Sequence, residues 1–341
     1  METQDLGRRL LLFLRRWYGE EVEVRGLRLL AGGAHRQTWA FDAHIQGKDG
    51  TTQVLPLVYR SDPALLEVGF IPREQEYKVL RAASLEGVPV PRVHPLVDDP
   101  SQVSQVEMLV MARIEGETVA HRILREELYA EARRRITAQM GAILARIHSI
   151  PIDKHGLADL SAPPSGRSAA EHEVGRWEGF YRSVTVNPQP VYELAFRWLR
   201  RSLPRDSRRT FVHGDFRLGN FIVGPEGILA VLDWEQAHIG DPLEDLGWLC
   251  VRSWRFGNDA LPVTGLGTRE EFRAAYEQAG GPPVDDESWR FWEVFGNLRW
   301  GIFCVWQAHR SLYGGEPHID YAMTGRRAAE TQWEILNLVE E

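Results

Sequence analysis

The stretch that decides the reading is His213-Gly214-Asp215-Phe216-Arg217-Leu218-Gly219-Asn220, followed by Val231-Leu232-Asp233-Trp234. Between its two halves, Phe221-Ile222-Val223 and Ile228 to Leu232 read as short strands turned by Gly224-Pro225-Glu226-Gly227. Apolar, partly β-branched runs bounded by Gly and Pro form hairpins. Asp215 and Asn220 stand five apart on the loop before that hairpin, and Asp233 lies thirteen beyond Asn220. The hairpin would return Asp233 beside Asn220. One amide oxygen and one carboxylate make a hard, all-oxygen set suited to magnesium. Asp215 is then left to accept a proton from a hydroxyl. Phosphoryl transfer needs this division of labour: a positioned nucleophile, neutralised phosphates and little covalent chemistry. A single Asp or Asn is often only a turn or cap residue, but the three in this spacing and strand context point to a site. His213-x-Asp215 does not read as a metal hydrolase, because no further His or Cys stands at zinc spacing.

Outward from this stretch, the chain has 341 residues, 43% apolar and 26% charged, with a net charge of -8. Such a composition is that of a globular protein of about two lobes, and it excludes collagen-like, disordered and disulfide-scaffold classes. The acidic balance argues against a nucleic-acid partner. No apolar run reaches the ~18–20 residues of a membrane span. Leu10-Leu11-Leu12-Phe13-Leu14 is followed at once by Arg15-Arg16 and lacks a cleavage site, so it reads as an amphipathic helix of a cytoplasmic protein. Cys250 and Cys304 are isolated in apolar surroundings and read as buried thiols.

The first half is strand-like: Val22 to Leu30, Thr38 to Phe41, Val54 to Tyr59 and Val106 to Met111, with a helix over Arg73 to Ala83. Pro56 suggests a bulge or an edge in its strand. The second half is mainly helical. Leu128 to Ile147 carries apolar residues at helical spacing, Val191 to Leu203 reads as a helix, and the chain from Pro242 on is helical again. Asp153 to Gly175, rich in Pro, Gly, Ser and Ala, reads as a long loop. Trp289, Trp292, Trp300 and Trp306 cluster with Phe291, Phe295 and Phe303. A helix apolar on every face is normally interior; an aromatic wall for a substrate is the other reading. The expected fold is α+β and bilobal: a β-rich N-lobe over residues 1–112 and a larger α-helical C-lobe over 113–341. A cleft between lobes is a common place for a ligand.

The segment Phe211 to Leu249, with His213-Gly214-Asp215, Asn220, Asp233-Trp234 and Gly240-Asp241-Pro242-Leu243-Glu244-Asp245-Leu246, resembles the catalytic loop of the aminoglycoside phosphotransferase and choline kinase group. These are relatives of the protein kinases, and the similarity runs over roughly residues 20 to 310. The resemblance implies a protein-kinase-like fold, ATP and Mg2+ as cofactors, and a small-molecule hydroxyl as substrate. By it, Asp215 is the catalytic base, Asn220 and Asp233 hold the metal, and His213, Asp241 and Asp245 are structural. Arg217 stands near the transferred phosphate and would stabilise its developing charge. His148, at the end of the long helix, is structural. Gly32 and Gly33, in Leu30 to Thr38, resemble the nucleotide-covering loop. The family's strand lysine is replaced by Arg60, in Leu57-Val58-Tyr59-Arg60, with Glu76 as its helix acid. Arginine keeps the charge, but its fork differs in geometry. Met111-Ala112-Arg113-Ile114 matches the hinge, where Ala112 and Ile114 would meet the adenine by their backbones. No Walker A sequence is present, which argues against a P-loop enzyme.

The fold does not choose the acceptor. The wording of the loop, Trp198-Leu199 before Pro204, and the strand arginine resemble most closely the kinase-like domains associated with acyl-CoA dehydrogenases, which implies a hydroxyacyl-CoA acceptor. An aminoglycoside phosphotransferase is the alternative, and a non-catalytic nucleotide- or metabolite-binding protein is an alternative of another class. Nothing in the sequence sets an oligomeric state.

Overall fold

The strand-like runs of the first half assemble into one antiparallel sheet. Its long members are β1 (Val22–Leu29), β2 (Thr38–Gln46) and β3 (Thr52–Arg60); β4 (Val93–His94) and β5 (Leu109–Ala112) are short. Their order is β1-β2-β3-β5-β4. In this computed structural model, residues 3–30, 37–47, 49–61, 70–97, 106–205, 208–315 and 318–340 are described. Gly32 and Gly33 lie outside the described residues.

Pro56 causes no bulge. It pairs with Asp42 in an unbroken β2–β3 register, and its carbonyl accepts the Arg113 amide at 2.9 Å on the β5 side. Its missing N–H faces that same side, opposite Arg113 and one residue beyond Leu57, where the β3–β5 pairing ends, so the one lost donor falls at an open edge of the ladder. The irregularity falls instead in β1, between Arg25 and Arg28, where Gly26 has a φ of 65°, a conformation glycine adopts without a Cβ penalty.

Helix α1 (Thr3–Tyr18) is amphipathic, with Leu6, Leu10, Phe13 and Leu14 buried, and packs on β1. Helix α2 (Arg73–Leu85) buries Glu76, Tyr77, Val79 and Leu80. These elements belong to the first of two compact units, which takes Met1–Gly116 together with Pro151–Asp159 and Leu229–Ala237.

The second unit holds Glu117–Ile150, Leu160–Ile228 and His238–Glu341. Its helices are α3 (Ala120–Arg125), α4 (Ala130–His148), α5 (Ala169–Val184), α6 (Pro190–Arg201), α7 (Leu243–Leu249), α8 (Arg269–Gln278), α9 (Asp286–Leu312), α10 (Ile319–Gly325) and α11 (Ala328–Glu340). Two small sheets complete the chain: β6 (Thr210–Val212) pairs with β9 (His238–Gly240), and β7 (Phe221–Gly224) pairs with β8 (Gly227–Val231).

The loop expected to run to Gly175 ends at Ser168. There Ser168 and Glu171 form a reciprocal capping box that opens α5. The two caps satisfy amide donors that a helix start otherwise leaves unpaired.

Helix α9 divides in two. Trp289, Phe291, Trp292 and Phe295 are at most 2% exposed, as a fully apolar helix would have them. Trp300, Phe303 and Trp306, one turn apart on one face, are only half-buried. Both cysteines are buried and free; burial pushes each thiol up to about 12. Among the described residues, no helix is long and apolar enough to cross a membrane.

Candidate active site

The loop from β6 to β7 carries Asp215, which is 6% exposed. Three side-chain donors hold its carboxylate. The Trp248 indole Nε1 donates to Oδ1 at 2.7 Å, Arg217 Nε donates to the same oxygen at 3.0 Å, and Asn220 Nδ2 donates to Oδ2 at 2.6 Å. Asn220 Nδ2 also lies 2.9 Å from the Asp215 carbonyl oxygen. Its two donor hydrogens therefore point into the loop, which leaves the amide oxygen on the opposite side of the group. Gly219 has a φ of +107°, and a Cβ there would lie 2.9 Å from Arg217 Nη1. Glycine thus serves both the backbone and the seat of the arginine.

The loop is braced from behind. Asp245, fully buried on α7, accepts the His213 amide at 2.9 Å and the Gly214 amide at 2.8 Å. His213 Nδ1 in turn accepts the Asp215 amide at 3.1 Å. His148 Nε2 lies 3.1 Å from Asp245, and its Nδ1 lies 2.7 Å from the Tyr276 hydroxyl. Burial alone would raise the Asp245 carboxyl. The His148 hydrogen bond and the charges of His148 and His213 outweigh it and hold the group below the usual range.

Asp241 behaves in the opposite way. It is 3% exposed and its Oδ1 accepts the Leu243 amide at 2.9 Å. Burial, helped by the Glu244 charge, pushes it up to about 7. A carboxyl raised on folding contributes stability that is whole below its unfolded value and is lost as the pH climbs through the folded one. Here that window runs from 3.8 to about 7. Asparagine mimics the protonated acid, accepting from Leu243 and donating as the acid would. Asp241→Asn is therefore expected to melt higher than the wild type at about pH 8, by roughly 1–4 kcal/mol of stability, with the gap closing toward about pH 4. Thermal unfolding across that range checks it; a gap that widens on acidification contradicts it.

In the first unit, a second group of charges gathers round Arg60 at the end of β3. Its guanidinium lies 2.6 Å from Glu76, 2.7 Å from Asp233 and 2.7 Å from Glu235. Burial alone would lower the arginine; Glu76, Asp233 and Glu235 outweigh it and raise it above its ordinary value. The Asp233 side chain is 31% exposed, against 1% for Glu76 and 7% for Glu235, so it is the carboxylate of the three open to a ligand. Asp233 also has a φ of 64°. A non-glycine residue in that left-handed region costs of order 1 kcal/mol and is held where a site needs it. Ala112 gives its amide to the Arg92 carbonyl at 2.8 Å, so a base meeting this strand would use the Ala112 carbonyl or the Ile114 backbone. The structure thus brings Asp215, Arg217 and Asn220 together in one unit, and Arg60, Glu76 and Asp233 together in the other.

Sequence reasoning missed Glu235, Trp248 and a buried ion network in the second unit. In that network the ligand atoms of Glu173, His238 and Glu244 lie within 4.8 Å of one another. Arg176 bonds Glu173 at 2.5 Å and Arg299 bonds Glu244 at 3.2 Å. Burial would raise Glu173, but Arg176, His238 and Arg299 hold it down at about 2. Two guanidiniums already balance the two carboxylates, so a dication there would meet like charge, and the group reads as a closed ion network.

Solved structures with this architecture are kinase-like phosphotransferases. A Ralstonia eutropha protein assigned as an aminoglycoside phosphotransferase is similar at a TM-score of 0.68 and 24% identity, over 95% of this chain and 97% of that one. A Mesorhizobium loti choline/ethanolamine kinase family protein is similar at 0.60 and 19% identity, over 100% and 96%. The fold is the bilobal, protein-kinase-like one. The chain belongs to the phosphotransferase enzyme family, whose model matches residues 26–292, and it is a small-molecule phosphotransferase of that family. Acyl-CoA dehydrogenase family member 10 of Mus musculus is 30% identical over 277 residues, 77% of this chain and 25% of that protein. Acyl-CoA dehydrogenase family member 11 of Homo sapiens is 31% identical over 205 residues, 58% and 25%. The chain spans about a quarter of the length of these two relatives.

Proposed function

We propose that this chain transfers the γ-phosphate of ATP to a hydroxyl of a small molecule, with a hydroxyacyl-CoA as the acceptor. The observation that carries the reading is the carboxylate of Asp215, fixed by Trp248, Arg217 and Asn220 on a loop braced by Asp245. A carboxylate locked in one orientation can align a hydroxyl and take its proton as the oxygen attacks. In-line transfer forms the bond from the acceptor oxygen to phosphorus, breaks the bond from phosphorus to the ADP oxygen, and leaves the hydroxyl proton on Asp215.

The donor sets suit a magnesium nucleotide. Asn220 offers an amide oxygen and Asp233 an exposed carboxylate, both hard ligands. Bound magnesium and ATP would supply the phosphoryl group and neutralise its charge. Arg60 would hold the inner phosphates, with Glu76 fixing its fork. The backbones of Ala112 and Ile114 would meet the adenine. In this reading residues 1–112 form the nucleotide-binding lobe and 113–341 the catalytic and substrate lobe. The names of the mammalian relatives support an acyl-CoA-type acceptor, as does the arginine at the strand position.

Arg217 steadies Asp215 and brings its guanidinium to within a hydrogen bond of the base. Charge developing on the transferred phosphoryl group would be met there. Arg217→Ala is expected to lower kcat by about a hundredfold while KM for ATP stays within about twofold. Steady-state ADP release with acceptor present checks this, and an unchanged kcat contradicts the role. The same assay tests the reading as a whole: ADP release should need both acceptor and magnesium, and should stop on chelation.

A further inference from the structure

Arg217 is held at three points and open at a fourth. Its Nε donates to the Asp215 carboxylate at 3.0 Å, and its Nη1 lies 3.4 Å from the Leu218 carbonyl oxygen. Nη2 makes no hydrogen bond to any described residue, and the side chain is 24% exposed. A guanidinium carries its donors in one rigid plane, so whatever sets that plane sets the direction of Nη2.

The third hold is an aromatic ring. The Arg217 guanidinium carbon lies 4.4 Å from the centre of the Trp254 ring. Trp254 closes the helical turn Arg252–Trp254 that follows α7, and it is 4% exposed. Its own place is fixed from several sides. Trp248 lies 5.4 Å away and Trp300 of α9 4.8 Å away, ring centre to ring centre, and Val251 completes the cluster. The Trp254 indole nitrogen is buried and makes no hydrogen bond among the described residues, so Trp254 gives the site neither a donor nor an acceptor. What it gives is its face, and indole attracts a cation more strongly than the other aromatic rings do. Trp248 donates to Asp215, and Trp254 carries Arg217. One pair of packed indoles thus sets both the base and the arginine beside it.

We infer that Trp254 is a positioning residue of this site: its buried ring seats the Arg217 guanidinium, so that Nη2 stays turned to the phosphoryl group in transfer. The purpose rests on the phosphotransfer reading and on the place given there to Arg217; the seat is a property of the second unit alone. Trp254 acts only through Arg217.

The test is a double-mutant cycle of Arg217→Ala, Trp254→Leu and the two combined, with Trp254→Phe as the conservative variant. Leucine keeps an apolar side chain without a ring face; phenylalanine keeps the face. In steady-state ADP release, Trp254→Leu is expected to lower kcat about tenfold or more with KM for ATP within about twofold, and Trp254→Phe to stay within about threefold of the wild type. On the Arg217→Ala background, Trp254→Leu should cost no more than about twofold further. A merely structural role would lower the leucine and phenylalanine variants alike and add its loss on either background. Either result overturns the positioning role, as does an unchanged kcat in Trp254→Leu. Should Trp254→Leu fail to fold, Trp254→Met takes its place, since methionine fills irregular gaps without a ring.

Denaturant unfolding of the same proteins reads the seat without any turnover. The loss in folding equilibrium from Trp254→Leu should be at least about twofold larger with Arg217 present than with alanine in its place. A cycle without that coupling overturns the seat whether or not ADP is released. Coupling in a protein that releases no ADP with any acceptor would overturn the phosphotransfer reading, and the positioning role with it, while leaving the seat in place.

Discussion

Asp215→Asn is expected to lower turnover on the order of a thousandfold or more, with ATP affinity little changed and a fall in stability of no more than about 1–3 kcal/mol. The substitution is nearly isosteric: an asparagine can keep an oxygen toward Trp248 and Arg217, while its amide nitrogen replaces the oxygen that accepts from Asn220, so that one hydrogen bond is lost. What it removes is the charge that draws the acceptor proton and the capacity to hold it. The contacts of His213 and Gly214 to Asp245 do not pass through the Asp215 side chain, so the loop should stay in place. Steady-state ADP release, with thermal unfolding as the control, reads both parts. A variant that turns over within about tenfold of wild type would remove Asp215 from the chemistry, since a general base contributes at least ~100-fold.

Arg60→Ala is expected to act on stability and on nucleotide binding together. Arg60 is the shared partner of Glu76, Asp233 and Glu235. Without it, two buried carboxylates and one half-exposed one face each other. Breaking a buried pair from one side costs about 3–5 kcal/mol. KM for ATP should rise by at least about tenfold, the scale of a lost charge-assisted contact to phosphate. Arg60→Lys separates the two effects. A lysine keeps the charge, but one compact ammonium cannot fork toward three carboxylates. It should recover nucleotide binding better than it recovers stability. Denaturant unfolding and ATP titration check both, and an Arg60→Ala protein with wild-type stability and KM would contradict the role given to this cluster.

Much of this was legible because short-range patterns carried it. The β7–β8 hairpin, α1, α2, α6 and the strands of the sheet follow from local apolar periodicity and turn residues, which do not need the rest of the fold. The α5 start was also written locally, in Ser168-Ala169-Ala170-Glu171. Composition pointed to a loop there, and the capping pattern decided the structure. Pro56 left a bulge and an edge both open; the register has no bulge, and the proline sits just where the β3–β5 pairing ends, which is a property of the sheet and not of the strand.

The site divides in the same way. Asp215 and Asn220 stand out because their spacing is chemical. Trp248 does not: it is one of twelve tryptophans, and only the fold sets its indole 2.7 Å from Asp215. Glu235 lies two residues after Asp233, yet its bond to Arg60 spans 175 positions. The second half of α9 is aromatic like the first. That Trp300, Phe303 and Trp306 end up half-buried is set by how other elements pack on α9, to which no residue within α9 testifies.

The measurement that tests the central claim most directly is mass spectrometry of acceptors incubated with the protein, ATP and magnesium, run in parallel with Asp215→Asn. The account predicts that a hydroxyacyl-CoA gains the mass of one phosphate with the wild type, that the gain vanishes in the variant, and that kanamycin gains none. Phosphate gained equally with both proteins, or gained by kanamycin and by no hydroxyacyl-CoA, would contradict it.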